Sequence, residues 1–376
     1  MYKLSINDFH KVYQELGCDQ TGVKILRNKS QMNTILIKNL HVGAANILKQ
    51  DALSIGADLA VPMGVIVARD KYVNAILIAT NKQLEILSRK ELAQPFGLKQ
   101  IAKDLKKFIF PSQKPTQIMG IINANEDSFF KNSRFSGKDA ILRMEQLIVD
   151  GATIIDLGAV SSRPGSIAVS PQEELARIQP ILECIQKEKL YEKAQFSLDS
   201  YAPEVLHYAL DCGFTIINDI TGLQNDEVAK LAGQYKAKVV IMHMQNDPSN
   251  MQKEPFYKDV IEEIHTFFEE RILKAKAFGV EEIILDVGIG FGKTLQHNLT
   301  LLKHHEHFRY FGHELLIGAS RKSMINAIVP SSIEERLPGT LAIHLEAINR
   351  GASIVRCHDV KEHFQAIKVH EAIIHA

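Results

Sequence analysis

Asp286 closes the apolar run Glu282 to Asp286 and is followed by Val287-Gly288-Ile289-Gly290-Phe291-Gly292-Lys293-Thr294. The Gly-Lys-Thr ending invites a phosphate-binding P-loop reading, which fails on count. That motif needs a glycine five positions before the Gly292 that precedes the lysine, and Val287 stands there. What remains is a carboxylate at a strand end, beside a loop that alternating glycines allow to turn tightly. In Ile317-Gly318-Ala319-Ser320-Arg321-Lys322-Ser323 two cations and two hydroxyls fall together, a set suited to an anion or a carbonyl oxygen. In Arg356-Cys357-His358-Asp359 strand alternation puts Arg356 and His358 on one face, where two donors can clamp an anion. Ser161-Ser162-Arg163-Pro164-Gly165 reads as a rigid turn that holds an arginine among hydroxyls. His304, His305 and His307 have no matching carboxylate array and read as solvated residues of a polar helix rather than metal ligands.

These groups are far apart in sequence, so the fold has to gather them. Eight short apolar segments recur: Ile118 to Asn123, Thr153 to Gly158, Ala194 to Asp199, Ile216 to Ile220, Lys238 to His243, Glu282 to Asp286, Glu314 to Ser320 and Ser353 to His358. Rich in Ile, Val and Leu and too short for helices, they read as buried strands. Amphipathic stretches such as Gly137 to Asp150, Pro203 to Cys212, Tyr257 to Phe278 and Leu337 to Arg350 lie between them, which favours parallel strands joined by crossover helices. Eight strand-helix units in about 250 residues predict a (β/α)8 TIM barrel, whose active site lies where the carboxyl ends of the strands converge. A doubly wound open sheet is the competing architecture, but it would not need a reactive residue after every strand.

The chain has 376 residues, so a barrel over 113–376 leaves a smaller N-terminal α/β domain over 1–112, an accessory of unassigned role. Its apolar runs are Asn33 to Ile37, Leu59 to Ala68 and Tyr72 to Ala79, with helical periodicity in Asn81 to Glu91 and Phe96 to Ile109. Phe110-Pro111-Ser112-Gln113-Lys114-Pro115 reads as the linker. Lysine plus arginine equals aspartate plus glutamate at 44 each, which gives no reason to expect nucleic acid or a membrane surface as partner. With no long apolar run or signal peptide, and with Cys18, Cys184, Cys212 and Cys357 lacking a C-x-x-C pair, the expectation is a cytoplasmic protein with reduced thiols.

Set in order along the chain, these pieces resemble the dihydropteroate synthases of the pterin-binding TIM-barrel group. The matching residues are Met119 to Asn123, Asp127-Ser128-Phe129, Asp156-Leu157-Gly158 with Ser162 to Gly165, Leu198 to Tyr201, Ile217-Asn218-Asp219, Met242 to Gln245, Asp286 to Lys293, Ser320 to Ser323 and Arg356 to Val360. The resemblance implies condensation of 6-hydroxymethyl-7,8-dihydropterin diphosphate with 4-aminobenzoate, by an SN1-like displacement, to give 7,8-dihydropteroate and diphosphate in folate biosynthesis.

By the same resemblance Asp199, Asn218, Asp286 and Lys322 hold the pterin, Asp156 and Met242 line its pocket, and Arg356 lies over the ring. Asn123, Arg163 and His358 would meet the diphosphate, with Mg2+ on Asn123. Ser162, Arg163, Pro164, Lys322 and Ser323 would shape the 4-aminobenzoate site, where sulfonamides bind, and Asp127 would order the first loop. Asn123, Arg163, Lys322, Arg356 and His358 are the implied catalytic set, in a homodimer. Where the family reads Asn-Val-Thr-Pro-Asp-Ser-Phe, this chain has Asn123-Ala124-Asn125-Glu126-Asp127-Ser128-Phe129, and Val287 replaces the usual proline after Asp286. The alternatives are a pterin-dependent methyltransferase barrel, which should lack the paired Ser-Arg-Lys-Ser and Arg-Pro-Gly segments, and a non-catalytic pterin-binding homologue.

Overall fold

The computed structural model describes residues 19–110, 114–124, 136–158, 169–247 and 250–374, with residues 13, 15–17 and 160 besides. The chain divides into two compact units, one of residues 1–112 with 372–376 and one of residues 113–371.

The second unit is a closed parallel barrel. Its strands are β4 (Gln117–Asn123), β5 (Ile154–Gly158), β6 (Gln195–Asp199), β7 (Ile216–Asp219), β8 (Lys238–Met242), β9 (Ile283–Asp286), β10 (Glu314–Ile317) and β11 (Ile354–Cys357), each hydrogen-bonded to the next and β11 back to β4. Helices Ser136–Val149, Pro171–Lys187, Pro203–Asp211, Asp226–Tyr235, Val260–Ala277, Leu295–Lys303, Leu337–Asn349 and Val360–Ile374 lie between or after them. Their starts are written locally. Pro203 occupies the first turn of one helix, and Asp259 caps another by accepting the Ile261 and Glu262 N–H groups at 3.0 and 3.1 Å. The apolar faces of these helices meet the outer faces of the strands in one core that includes the fully buried Phe196, Phe268 and Phe308. Burying each such ring contributes about 1.5–3 kcal/mol.

Inside the barrel a separate layer of Met119, Ile154, Ile216, Val240, Ile284, Leu316 and Ile354 fills the axis. One residue from each of seven strands makes a solid floor rather than a pore.

In the first unit, β1 (Met32–His41), β2 (Asp58–Ala60) and β3 (Tyr72–Thr80) form an antiparallel sheet in the order β1-β3-β2. Val73, Ala75, Leu77 and Ala79 alternate onto its buried face, where they join Ala44, Ala45, Leu48 and Ala52 of helix Val42–Ser54 in one core. Helices Gln20–Ser30 and Val42–Ser54 were not foreseen. The first is polar, and the second is so rich in alanine that its apolar stripe is faint. The Leu59 to Ala68 run yields only the short β2, because Gly64 turns left-handed (φ 89°) into a 3-10 turn at Val65–Val67.

The barrel strands fall within a residue or two of the expected segments, except that β10 stops at Ile317 rather than Ser320. The chain turns there: Lys322 N–H donates to the Ala319 carbonyl, and Arg321 adopts φ 54°. The expected solvated histidines are corrected. His305 and His307 belong to a 3-10 segment, His305–Phe311, in which His305 is fully buried and held down near 4 by that burial, while His307 pairs with His265 at 3.0 Å. Only His304 is exposed.

Candidate active site

Alternation along a strand turns every second side chain inward. Two residues beyond the apolar floor, towards the carboxyl ends, the inward positions are therefore Ile121, Asp156, Asn218, Met242, Asp286, Gly318 and Arg356. The floor supports a polar ceiling, and the same β-sheet geometry builds both. Strand register adds a second row along the rim: Asn123 is opposite Gly158, Gly158 opposite Asp199, and Asp199 opposite Asn218.

Charge organises this layer. Asp156 is fully buried and accepts three kinds of donor: Ser197 Oγ at 2.6 Å, Asn218 Nδ2 at 3.2 and 3.3 Å, and Arg356 Nε at 2.6 Å. Arg356 also donates through Nη2 to Asp199 Oδ2 at 2.9 Å. Burial opposes the Arg356 charge, but Asp156 and Asp199 more than restore it and keep the guanidinium protonated. Asp199 is pushed up to about 7 by burial, against the pull of Arg356 and with the push of Asp156. One cation thus serves two carboxylates, so a proton or a ligand donor at Asp199 is favoured.

Asp286 is buried at the end of β9, where its Oδ1 accepts the Gly288 N–H at 2.7 Å. Burial raises its carboxyl, with Lys322 opposing. Lys322 Nζ donates a short hydrogen bond to the Ile289 carbonyl and lies 4.5 Å from the centre of the Phe291 ring. Burial lowers Lys322 to about 8, while Asp286 and Asp199 support its charge. Lys322, Asp286, Asp199 and Arg356 therefore share one electrostatic neighbourhood. The glycine loop after Asp286 is obligatory: a Cβ on Gly288 (φ 66°) would come within 2.0 Å of the His243 carbonyl oxygen.

Of the remaining expected residues, Met242 is buried at the end of β8 opposite Asp286. Asn123 ends β4 half-buried, its Oδ1 3.4 Å from where a Cβ on Gly158 would stand. His358 Nδ1 and Ser320 Oγ are 2.9 Å apart, and the His358 N–H also donates to that hydroxyl. Ser323 is exposed at the start of the short helix Ser323–Ile328. Asp127, Ser162, Arg163 and Pro164 lie outside the described residues. Arg321 is a correction to the expected anion cluster. Its Nε and Nη2 donate to Asp359 at 2.9 and 2.7 Å, and its Nη1 to the Ile333 and Glu334 carbonyls, so it braces the rim instead of serving a ligand.

Sequence reasoning passed over Ser197, although the signal was there: it sits two residues before Asp199 and so on the same strand face. It also passed over Asp359, His344 and His363. His344 Nε2 accepts the Ala319 N–H and faces His363 across 2.8 Å, beneath the turn that carries Ser320. No periodicity marks such buried histidine pairs. Among the described residues no group of three or more His, Cys, Asp or Glu could hold a metal ion.

The arrangement is a deep polar cup with buried carboxylates and a carboxamide at its base and two cations on its wall. Comparison with known proteins agrees with it. The sequence model of the pterin binding enzyme family matches residues 119–358. The chain is 39% identical over 372 residues to a bifunctional dihydropteroate synthase/dihydropteroate reductase of Helicobacter pylori, covering 99% of this chain and 98% of that one. It is 40% identical over 262 residues to the dihydropteroate synthase of Escherichia coli, covering 69% of this chain and 92% of the relative. A crystal structure of the Clostridium difficile dihydropteroate synthase, obtained in the presence of pteroic acid, superposes with a TM-score of 0.64 at 37% identity, over 70% of this chain and 98% of that one. The chain belongs to the pterin-binding enzyme family, among its dihydropteroate synthases.

Proposed function

We propose that this protein condenses 6-hydroxymethyl-7,8-dihydropterin diphosphate with 4-aminobenzoate, releasing diphosphate and 7,8-dihydropteroate. The observation that carries the reading is the single inward layer containing Asp156, Asn218, Asp286 and Arg356, with Asp199 and Lys322 at its side. An aminopyrimidinone edge presents adjacent N–H donors and a carbonyl. Asp286 supplies an acceptor for the donors, Asn218 satisfies a mixed edge, and Lys322 gives the ring a cation to hydrogen-bond. Met242 supplies apolar contact against the ring. Asp156, already saturated by its own donors, holds Asn218 and Arg356 in place.

The bond from the pterin methylene carbon to the diphosphate oxygen breaks with its electron pair on oxygen. The aniline nitrogen closes the new C–N bond and gives up one proton. Charge grows on the leaving group, so His358, just beyond the strand that pairs with that of Asn123, and Arg163 would stabilise the departing oxygens, while Arg356 lies over the ring. The donor set also fits Mg2+. The Asn123 carboxamide offers one neutral oxygen, and this ion takes few protein ligands and completes its shell with phosphate oxygens and water. When bound, the ion neutralises diphosphate charge. Ser323 and Lys322, with Ser162, Arg163 and Pro164, would line the 4-aminobenzoate side, and Asp127 would order the loop over it. On the same reading the enzyme is a cytoplasmic homodimer and a sulfonamide target.

Incubating the intact chain with both substrates and Mg2+ tests this: diphosphate and dihydropteroate should appear in equal amounts, and neither when one substrate is withheld. Tight pterin diphosphate binding without turnover would instead make it a non-catalytic pterin-binding homologue.

A second reading is favoured by one observation. The match to the Helicobacter pylori protein extends through residues 1–112, whereas the match to the Escherichia coli synthase covers only 69% of this chain. On this reading the chain also reduces its own product: a hydride from a reduced nicotinamide or flavin adds to C6 of dihydropteroate and a proton to N5, giving the tetrahydro form. Oxidation of the donor in the presence of dihydropteroate, followed by mass spectrometry of the product, checks it.

A further inference from the structure

We infer that Lys293 is a positioning residue for the proposed reaction, setting Lys322 and Asp286 through the glycine loop that lies between them. The inference rests on the synthase reading given above. Lys293 ends that loop and is almost wholly buried, with its Nζ 3.1 Å from the His243 carbonyl oxygen, 2.8 Å from the Phe291 carbonyl oxygen and 3.1 Å from His243 Nδ1. A lysine head group so placed is fully engaged by two backbone carbonyls and one ring nitrogen. It ties the end of β8 to the loop after β9.

The loop has two sets of contacts. In one, Lys293 holds the Phe291 carbonyl, Tyr257 Oη donates to the Gly292 carbonyl at 2.9 Å, and Asn298 accepts the Gly290 N–H at 2.9 Å. In the other, the loop presents the Ile289 carbonyl and the Phe291 ring to Lys322, and the Gly288 N–H to Asp286. Two lysines therefore hold carbonyls two residues apart in one short loop. Burial and the nearby Lys322 both disfavour the Lys293 charge, and Asp286 supports it. A buried amine at that cost is not needed merely to close a turn, which neutral groups already do nearby, Asn298 as acceptor and Tyr257 as donor. What Lys293 adds is a fixed distance between the loop and the end of β8, and hence a fixed place for the two groups that would meet the pterin.

The test compares wild type with K293M, which matches the side-chain length without the donors, and H243F, which removes the ring nitrogen but keeps the carbonyl acceptor. Each is measured for kcat and KM with either substrate and for the alkaline limb of the kcat/KM profile, with thermal melting as the fold control. Folded K293M should lose about tenfold or more in kcat/KM for pterin diphosphate, mostly through KM, with its alkaline limb displaced from that of wild type. H243F should lose about threefold in the same direction. A folded K293M with wild-type KM and an unmoved alkaline limb overturns the inference. Should K293M not fold, a folded H243F with unchanged kinetics does so. If wild type itself makes no dihydropteroate, the synthase reading fails and not this residue's role.

Discussion

Arg356 Nε donates to Asp156 Oδ2 at 2.6 Å, joining the last barrel strand to the second across the mouth of the site. The carboxylate is sealed from solvent and takes two further donors, Ser197 and Asn218. Asp156 is thus a hub that orients two neighbours, while Asp199 and Asp286 keep acceptor capacity for a ligand. Among the described residues no hydrogen bond reaches Asp286 Oδ2, the oxygen nearest Gly318.

Removing the cation from this hub should be costly. In R356M two buried carboxylates lose their partner, a change worth about 3–5 kcal/mol. Asp199 already has a carboxyl raised to about 7, above its value in the unfolded chain, so its folded form holds a proton that the unfolded form releases. Stability should then fall as pH rises from about 4 to 7, and more steeply in R356M than in wild type. Melting curves at pH 5.5 and pH 8 check this, and equal destabilisation at both would contradict it.

Lys322, held near 8, makes a kinetic prediction. Above that value the amine is neutral and the bond to substrate that the proposed function gives it would weaken, so kcat/KM should decline as pH rises through about 8. In K322R the guanidinium stays charged, so the alkaline limb should disappear from that range even though the rate is lower. A limb in the same place in K322R would assign it to another group.

Much of the barrel was legible because its strands are apolar runs bounded by loops, and because the polar residue at each end marks the mouth. Asp286, Asp199 and Asn218 could be placed there from their positions at the ends of apolar runs, and Arg356 from alternation with His358. Which donor meets which acceptor could not. That Arg356 serves Asp156 and Asp199, or that Arg321 turns away to Asp359, depends on strand stagger and on a left-handed residue at 321, neither of which a periodic pattern encodes. The buried histidines went unread for a related reason: His305 sits in a stretch of charged and aromatic residues that resembles a solvated helix, yet it is buried along with Phe308 and Tyr310.

On the proposed binding mode, D286A removes the acceptor that would meet the paired N–H groups of the pterin. The expected loss in affinity for pterin diphosphate is about 2–4 kcal/mol, or roughly 30- to 1,000-fold in Kd. Calorimetry measures it directly, and affinity within a few-fold of wild type would remove Asp286 from the pterin site.

A chain reduced to residues 113–376 should keep diphosphate release, since the Clostridium difficile and Escherichia coli relatives match this stretch over nearly their whole lengths. It should lose any reduction of dihydropteroate. A folded but inactive barrel would place part of the synthase machinery in the first unit, and a barrel that still reduces its product would take the reductase out of it.

The most direct test of the account is a structure of the intact chain with pterin diphosphate bound. The account predicts the bicyclic ring on the inward layer, with its aminopyrimidinone edge on Asp286 and Asn218, Lys322 within hydrogen-bonding distance of the ring, and the diphosphate on the side of Asn123 and His358. A ring seated elsewhere, with Asp286 and Lys322 untouched, would contradict it.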